Sequence, residues 1–138
     1  MTKPDASRKR VFVYGSLMTG LHNHHYLAEA RRSGEATIAA GKFAMISLGA
    51  FPGLILDPQG ATVPGELYDV DGDTLAELDR LEGHPRCYRR RLVYVTCEGN
   101  PVTALVYVLN SPRFQETLVP DNDWRAFQAA RQATYGQA

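Results

Sequence analysis

One carboxyl group of this sequence falls where an apolar side chain is expected. In the short helix predicted after Asp71, successive residues turn by about 100°, so Leu75 and Leu78 share one side. Glu82 lies at about 340° from Leu75, inside that apolar stripe. Burial and the negative end of the helix dipole both raise the pKa of a carboxyl group there. A raised pKa suits a general acid or base that works near neutral pH.

A second interpretation of Glu82 stays open, because periodicity alone favours neither. In it, the last helical turn frays and the carboxylate pairs with Arg86 or Arg89. The charges around it are segregated: seven acids lie among residues 66–82 against the single base Arg80, and four arginines follow, Arg86, Arg89, Arg90 and Arg91. We expect a solvated acidic helix face beside a strand whose arginines pair with it. The neighbouring acids cancel the field of the arginines, which disfavours a nucleic-acid site.

The second candidate for chemistry is the segment Tyr14-Gly15-Ser16-Leu17. It follows the β-branched and aromatic run Val11–Val13, which predicts a strand that ends in a turn. Glycine at such a place lets a ligand approach the backbone, and successive N–H groups can hold an anion. The chain lacks the G-x-x-x-x-G-K-S/T, G-x-G-x-x-G and G-x-S-x-G motifs. The alternative is a turn with no ligand.

The histidines of residues 22–25 and the two cysteines show no pattern of a functional site. The histidines in His22-Asn23-His24-His25 fit no standard zinc spacing, so we predict no metal site. Cys87 follows His84 by three residues, but no nucleophile signature surrounds them. We expect Cys87 to be a half-buried small side chain and Cys97 to pack at the end of a strand.

The elements that must position these residues are short. The pattern predicts helices at about 25–32, at 71–81 with a stop at Gly83, and from about Asn122 with Trp124 and Phe127 on one face. Residues 36–70 have the texture of β-strands broken by glycine and proline. Two more strands are predicted at 90–96 and 102–109, the second apolar at nearly every position and therefore buried on both faces. These elements predict an α+β fold, a small closed or strongly curled β-barrel with a few flanking helices.

The whole chain has the composition of one globular domain. It has 138 residues, 44% of them hydrophobic, and 15 basic residues balance 15 acidic ones. We expect a flexible basic lead-in at 1–9 and a single domain at 10–138. Because residues 1–10 have no apolar secretion signal, no run is long enough to span a membrane, and only two cysteines occur, we expect a cytoplasmic protein with reduced thiols.

Several stretches in order resemble one known family, the gamma-glutamyl cyclotransferase-like family. The resemblance covers most of the chain from Val11 to Leu109 and is closest to the gamma-glutamylamine cyclotransferase branch. It rests on Val11–Met18, Asn23-His24, Val63–Val70, the spacing Leu75…Leu78-Asp79…Leu81-Glu82-Gly83, and Tyr88-Arg89-Arg90. The run Arg89-Arg90-Arg91 is richer in arginine than the family's pattern.

The resemblance implies a β-barrel with surrounding helices, a cavity at one side, and no cofactor. It implies that the α-amino nitrogen of a gamma-glutamyl substrate attacks its own γ-carbonyl, which yields 5-oxoproline and a free amine. It assigns Glu82 as the catalytic acid/base, Tyr14, Gly15, Ser16 and Leu17 as the substrate-binding loop, and Tyr88 as a residue that lines the pocket.

Two alternatives remain at this stage. In the first alternative, the chain is a non-catalytic member of the same fold that binds a small amide. In the second, it binds nucleic acid or another partner through residues 86–91. We expect a small-molecule substrate, no nucleic acid and no membrane. The sequence leaves open the amine released and the oligomeric state.

Overall fold

The computed structural model describes residues 8–110 and 117–136, with no side chains described beyond 133. The strands are β1 (Lys9–Val13), β2 (Arg31–Ile38), β3 (Phe43–Ser47), β4 (Pro52–Leu56), β5 (Val63–Val70), β6 (Tyr88–Cys97), β7 (Asn100–Leu109) and β8 (Thr117–Leu118). The helices are α1 (Gly72–Glu82) and α2 (Trp124–Gly136), and two short 3-10 helices span His24–Leu27 and Pro120–Asn122.

Five strands close into a barrel in the order β1-β5-β2-β6-β7. The long hairpin β6–β7 pairs from Tyr88 with Leu109 to Cys97 with Asn100. β1 completes the barrel because it pairs antiparallel with β5 and, through Val11 and Leu105, parallel with β7. Burial of Ala104 and of residues 106–108 agrees with the apolar run of β7. The α+β barrel fold that the sequence predicts is confirmed.

A second, three-stranded sheet in the order β4-β3-β8 lies beside the barrel. A Cβ at Gly53 of β4 would lie 3.2 Å from a side-chain carbon of Leu109 and 3.5 Å from the Tyr88 hydroxyl. β4 therefore packs closely on the end of the β6–β7 hairpin. This contact carries the start of β4, at Pro52, to the same side of the barrel as the end of β1.

The end of α1 is defined by local capping. The Asp71 carboxylate accepts a hydrogen bond from the Thr74 backbone N–H at 2.8 Å. Gly83 adopts a left-handed conformation with φ 62°, and its N–H donates to the Arg80 carbonyl. The predicted stop at Gly83 agrees with this geometry, and Glu82 is the last residue of the helix.

The helix predicted at about 25–32 is wrong. The described chain forms one 3-10 turn there, His24–Leu27, and β2 begins already at Arg31. Arg31 pairs with Asp69 of β5, and Gly34, with φ 141°, lies at a bulge in that ladder. Pairing with a neighbouring strand thus outweighs the local helical pattern.

The predicted lead-in at 1–9 falls mostly outside the described residues, since 1–7 are not among them. Lys9 is already the first residue of β1, where it pairs with Val70. Within the described part of the chain, the helices are too short or too polar to cross a membrane.

Candidate active site

A cavity of about 230 Å³ opens where the end of β1, the end of α1 and the start of β4 meet. All six residues that the sequence predicts as site residues line it: Tyr14, Gly15, Ser16, Leu17, Glu82 and Tyr88. They come from three regions of the chain, so the fold brings the two candidate motifs together. Their roles stay predictions at this point.

Residues 14–17 form the turn that leaves β1. The Met18 N–H donates to the Gly15 carbonyl at 3.0 Å, which closes a β-turn. Asn23 folds back onto this turn, where its Nδ2 donates to Ser16 Oγ at 2.9 Å. His24 Nδ1 lies 3.0 Å from the Leu17 carbonyl oxygen. The pair Asn23-His24 therefore supports the turn.

The turn lines the cavity and carries unpaired backbone donors. Within the described chain, the N–H groups of Gly15, Ser16 and Leu17 make no hydrogen bond. Gly15 lets the turn approach the second sheet, because a Cβ there would lie 2.6 Å from Pro52 Cγ. A row of free N–H groups in a cavity is suited to bind a carboxylate or a developing oxyanion.

Glu82 is half-buried at the edge of this cavity. Burial raises the pKa of its carboxyl group to about 7. No described residue forms an ion pair or hydrogen bond with this carboxylate. The interpretation in which Arg86 or Arg89 pairs with Glu82 has no support in the described structure.

The pKa of a second buried carboxylate, that of Glu66, is shifted in the opposite direction. Glu66 of β5, 6% exposed, accepts from the Thr19 N–H at 2.8 Å and from the Tyr68 hydroxyl at 3.0 Å. Arg32 and Arg125 lie 3.5 and 3.4 Å from its other oxygen. Desolvation would raise the pKa of Glu66, but the hydrogen bonds and Arg32 outweigh it and lower the pKa. Glu66 is therefore a structural anion, whereas Glu82 is free to exchange a proton.

Tyrosines form the inner wall of the cavity. The Tyr14 hydroxyl donates to the Tyr107 carbonyl at 2.6 Å, and the Tyr88 hydroxyl donates to the Pro52 carbonyl at 2.7 Å. Burial raises the pKa of Tyr14, Tyr88 and Tyr107, so all three are neutral at physiological pH. Glu82 is thus the one carboxylate among the described residues that line the cavity.

Sequence reasoning missed part of the lining. The lining residues that it did not single out as binding include Phe51, just before β4, Pro52 at the start of β4, Tyr107 from β7, and His22 and Asn23. Phe51 is 44% exposed at the mouth of the cavity. Periodicity could not reveal these residues, because their place depends on how the second sheet packs against the barrel.

The histidine, cysteine and arginine side chains outside the predicted site have varied surroundings. Among the described residues, no cluster of histidine, cysteine or acidic side chains could hold a metal ion. Cys87 is exposed and not half-buried as expected, since it lies in the loop after α1, whereas Cys97 is partly buried at the end of β6. Arg90 pairs with Asp79 at 2.8 Å, as the expected helix-to-strand pairing requires, while Arg89 and Arg91 are exposed.

Comparison with known proteins gives one consistent result. A family described as gamma-glutamyl cyclotransferase, AIG2-like, matches residues 11–126. The Escherichia coli (strain K12) gamma-glutamylcyclotransferase family protein YtfP is 37% identical over 115 residues, which are 83% of this chain and 95% of that protein. The gamma-L-glutamyl-butirosin B gamma-glutamyl cyclotransferase of Niallia circulans is 32% identical over 136 residues, covering 92% of this chain and 84% of that protein.

A solved structure agrees with these sequence matches. The crystal structure of an AIG2-like protein from Mus musculus superposes with a TM-score of 0.72 at 28% identity. The match covers 78% of this chain and 81% of that chain. The similarity therefore includes the barrel and extends over most of both proteins.

Proposed function

The chain belongs to the gamma-glutamyl cyclotransferase, AIG2-like family, and from this membership we propose that it cyclises a gamma-glutamyl amine to 5-oxoproline with Glu82 as general acid and base. The observation that carries the proposal is the unpaired Glu82 carboxyl group, whose pKa is about 7, beside a turn with free backbone donors. This combination offers a proton acceptor and an anion site in one cavity.

The reaction needs little from the protein beyond geometry and one proton carrier. The attack is intramolecular, so the cavity must fold the substrate until its α-amino nitrogen faces its γ-carbonyl carbon. As the new C–N bond forms, Glu82 takes a proton from the attacking nitrogen. The protonated carboxyl group then donates that proton to the leaving nitrogen as the old C–N bond breaks.

The turn at residues 14–17 would hold the negative charge of the substrate. The free N–H groups of Ser16 and Leu17 can donate to the substrate α-carboxylate or to the oxyanion that forms on the γ-carbonyl. A neutral Tyr88, fixed by its bond to the Pro52 carbonyl, would form one wall for the glutamyl group. The proposed reaction transfers only protons and the acyl group, so it needs no metal, nucleotide or redox group.

The lining also favours one class of leaving group. No lysine or arginine is found among the described residues that line the cavity, and its mouth carries the apolar ring of Phe51. In a gamma-glutamyl dipeptide, the carbon next to the leaving nitrogen carries a carboxylate, which would come to a site without a cation to pair it. We therefore favour an amine whose leaving nitrogen has no carboxylate on the adjacent carbon, as in the amine branch that the sequence resembles.

The test is a panel of gamma-glutamyl compounds scored for 5-oxoproline release. Gamma-glutamyl alkylamides and gamma-glutamyl-ε-lysine should be cyclised, and gamma-glutamyl dipeptides should have a kcat/KM lower by roughly tenfold or more, the effect of about 1.4 kcal/mol. Release of 5-oxoproline from none of the compounds would contradict the cyclotransferase function. Equal rates for both classes would contradict only the amine preference.

A further inference from the structure

Asp79 lies one helical turn before Glu82 on α1 and has partners outside the helix. The acids of this helix predict a solvated face, yet Asp79 is only partly exposed. Its Oδ1 accepts a hydrogen bond from the Tyr107 hydroxyl at 2.6 Å. The Arg90 Nε lies 2.8 Å from the same oxygen. The Asp79 carboxylate thus connects α1 to β7 and β6, one helical turn before Glu82.

Tyr107 connects that contact to the other half of the cavity. It is 3% exposed, lines the cavity, and uses its hydroxyl on Asp79. Its backbone carbonyl accepts the hydroxyl hydrogen bond of Tyr14, the first residue of the candidate binding turn. A single residue of β7 therefore contacts both the helix that carries Glu82 and the segment that would hold the substrate.

The backbone that follows Glu82 is anchored on the same strands. The His84 N–H donates to the Asp79 carbonyl at 2.9 Å, and the Arg90 N–H donates to His84 Nδ1 at 3.2 Å. Asn110, just after β7, donates through Nδ2 to the carbonyls of Pro85 and Arg86. The chain is thus fixed on both sides of Glu82, although its own carboxylate has no partner among the described residues.

We propose that Asp79, Arg90 and Tyr107 are positioning residues that hold the Glu82 carboxylate at a set place relative to the turn at residues 14–17. The proposal rests on the proposed function for its effect on turnover, but the placement of Glu82 is measurable without turnover. A general base must come within about 2.6–3.2 Å of the proton that it takes. A base on the last residue of a helix meets this requirement only if that end is held, because helix ends fray.

The expected effect on Glu82 follows from its surroundings. The groups that face it across the cavity are Tyr14, Tyr88 and Tyr107, all neutral, with His22 on the same lining. Burial raises its pKa to about 7. If the contact of Asp79 with Tyr107 is removed, the end of α1 moves outward and Glu82 gains water. The pKa of Glu82 should then fall toward its ordinary value.

The experiment compares Tyr107→Phe with Tyr94→Phe. Tyr107→Phe removes one hydroxyl, whereas Tyr94 lies on the adjacent strand β6, is 74% exposed and serves as the matched control. The carboxyl carbon of Glu82 is followed by ¹³C NMR as the pH is changed, and kcat and KM are measured by 5-oxoproline release. Melting temperatures show that each variant folds. Asp79→Asn and Arg90→Lys, with Arg91→Lys as control, repeat the test if Tyr107→Phe does not fold.

We expect Tyr107→Phe to lower the titration midpoint of Glu82 by about one pH unit and kcat by roughly 10- to 100-fold, the effect of a misplaced catalytic group. KM should change less than kcat, and Tyr94→Phe should match the wild type. A folded Tyr107→Phe or Asp79→Asn variant that keeps either the wild-type midpoint or the wild-type kcat overturns the proposal.

The two proposals fail in different ways. A wild-type protein that releases no 5-oxoproline, from any compound, contradicts the proposed function, and the midpoint of Glu82 alone then decides whether the positioning residues act as proposed. An active wild type with an inactive Glu82→Gln variant and unchanged positioning variants contradicts only the positioning inference.

Discussion

At the level of single residues, two half- or fully buried glutamates have opposite environments. Glu66 is surrounded by donors and cations that lower its pKa, whereas Glu82 has only burial, which raises its pKa to about 7. The same residue type therefore serves as a structural anion in one place and as the proposed proton carrier in the other. The difference comes from hydrogen-bond donors and ion pairs, because Glu66 has several of them and the Glu82 carboxylate has none among the described residues.

Glu82→Gln should lower kcat by roughly 10²–10⁴, the usual effect of losing acid–base catalysis. The wild-type rate should fall as the pH drops below about 7, because the base must be ionised to accept a proton. The variant should lack this acidic limb. Steady-state kinetics of 5-oxoproline release between pH 5 and pH 9 measure both quantities.

The Glu82→Gln substitution should also change how the stability of the protein depends on pH. The pKa of Glu82 is raised on folding, so the stability that its neutral form provides is present below about 4.3 and is lost as the pH rises through about 7. Glu82→Gln should therefore melt at an increasingly higher temperature than the wild type over this interval, with a constant difference above it. A variant that melts lower and turns over normally would contradict the catalytic assignment.

At the level of secondary-structure elements, the candidate site lies where two strands and one helix begin or end. The turn at residues 14–17 leaves β1, Glu82 ends α1, and Pro52 begins β4. Backbone groups beyond the end of a strand lack the partners of the ladder, and the N–H groups of this turn, which lines the cavity, make no hydrogen bond within the described chain. The fit between the turn and β4 requires glycine at position 15, because no side chain can occupy the space taken by Pro52.

Gly15→Val should damage this fit. The new Cβ would lie 2.6 and 2.8 Å from the side-chain carbons of Pro52, so the turn or β4 must shift, at a cost of about 1–3 kcal/mol in unfolding free energy. We expect KM for the gamma-glutamyl substrate to rise by roughly tenfold or more. Ser16→Ala is the milder comparison, because it loses only the bond from Asn23 and keeps the backbone donors. Unchanged kinetics for Gly15→Val would show that the turn does not bind the substrate.

At the level of the whole molecule, Glu66 joins parts of the chain that are far apart in sequence. It binds Thr19 after the turn, Arg32 on β2 and Arg125 on α2. The barrel, the site turn and the last helix therefore share one buried anion. Glu66 is not among the described residues that line the cavity, so these contacts place no second carboxylate in it.

Glu66→Gln should lower the unfolding free energy by about 1–3 kcal/mol at neutral pH, because the two arginines lose their anion. The pKa of Glu66 is lowered on folding, so its contribution is present above the ordinary glutamate pKa and is lost as the pH falls below it. Denaturant titrations should show a difference from the wild type that is constant at neutral pH and shrinks steadily as the pH is lowered below the ordinary glutamate pKa. A pH dependence like that of Glu82→Gln would contradict the assigned contacts.

Activity should survive prolonged treatment with a chelator. The described residues contain no cluster of side chains suited to a metal ion, and the proposed reaction moves protons through Glu82 alone. The measurement is 5-oxoproline release before and after dialysis against EDTA. Loss of activity that zinc restores would contradict the prediction and direct attention to the histidines of residues 22–25.

The sequence by itself determined those features that depend on near neighbours in the chain. The capping residues Asp71 and Gly83 predicted the limits of α1, and helical spacing marked Glu82 as a carboxylate on an apolar stripe. The strand run before Gly15 predicted the turn, and the ordered motifs identified the family. Capping and periodicity act over a few residues, so they can be inferred from short stretches of sequence.

Only the tertiary structure decided the features that depend on what packs against a residue. Residues around Ala30 have helical spacing, but pairing of Arg31 with Asp69 makes them the start of a strand. The sequence could not distinguish the pKa of Glu82 from that of Glu66, because the donors to Glu66 come from distant segments. Tyr107 and Pro52 enter the cavity because two sheets pack together. Desolvation and hydrogen bonding are set by these long-range contacts, which local spacing in the sequence does not encode.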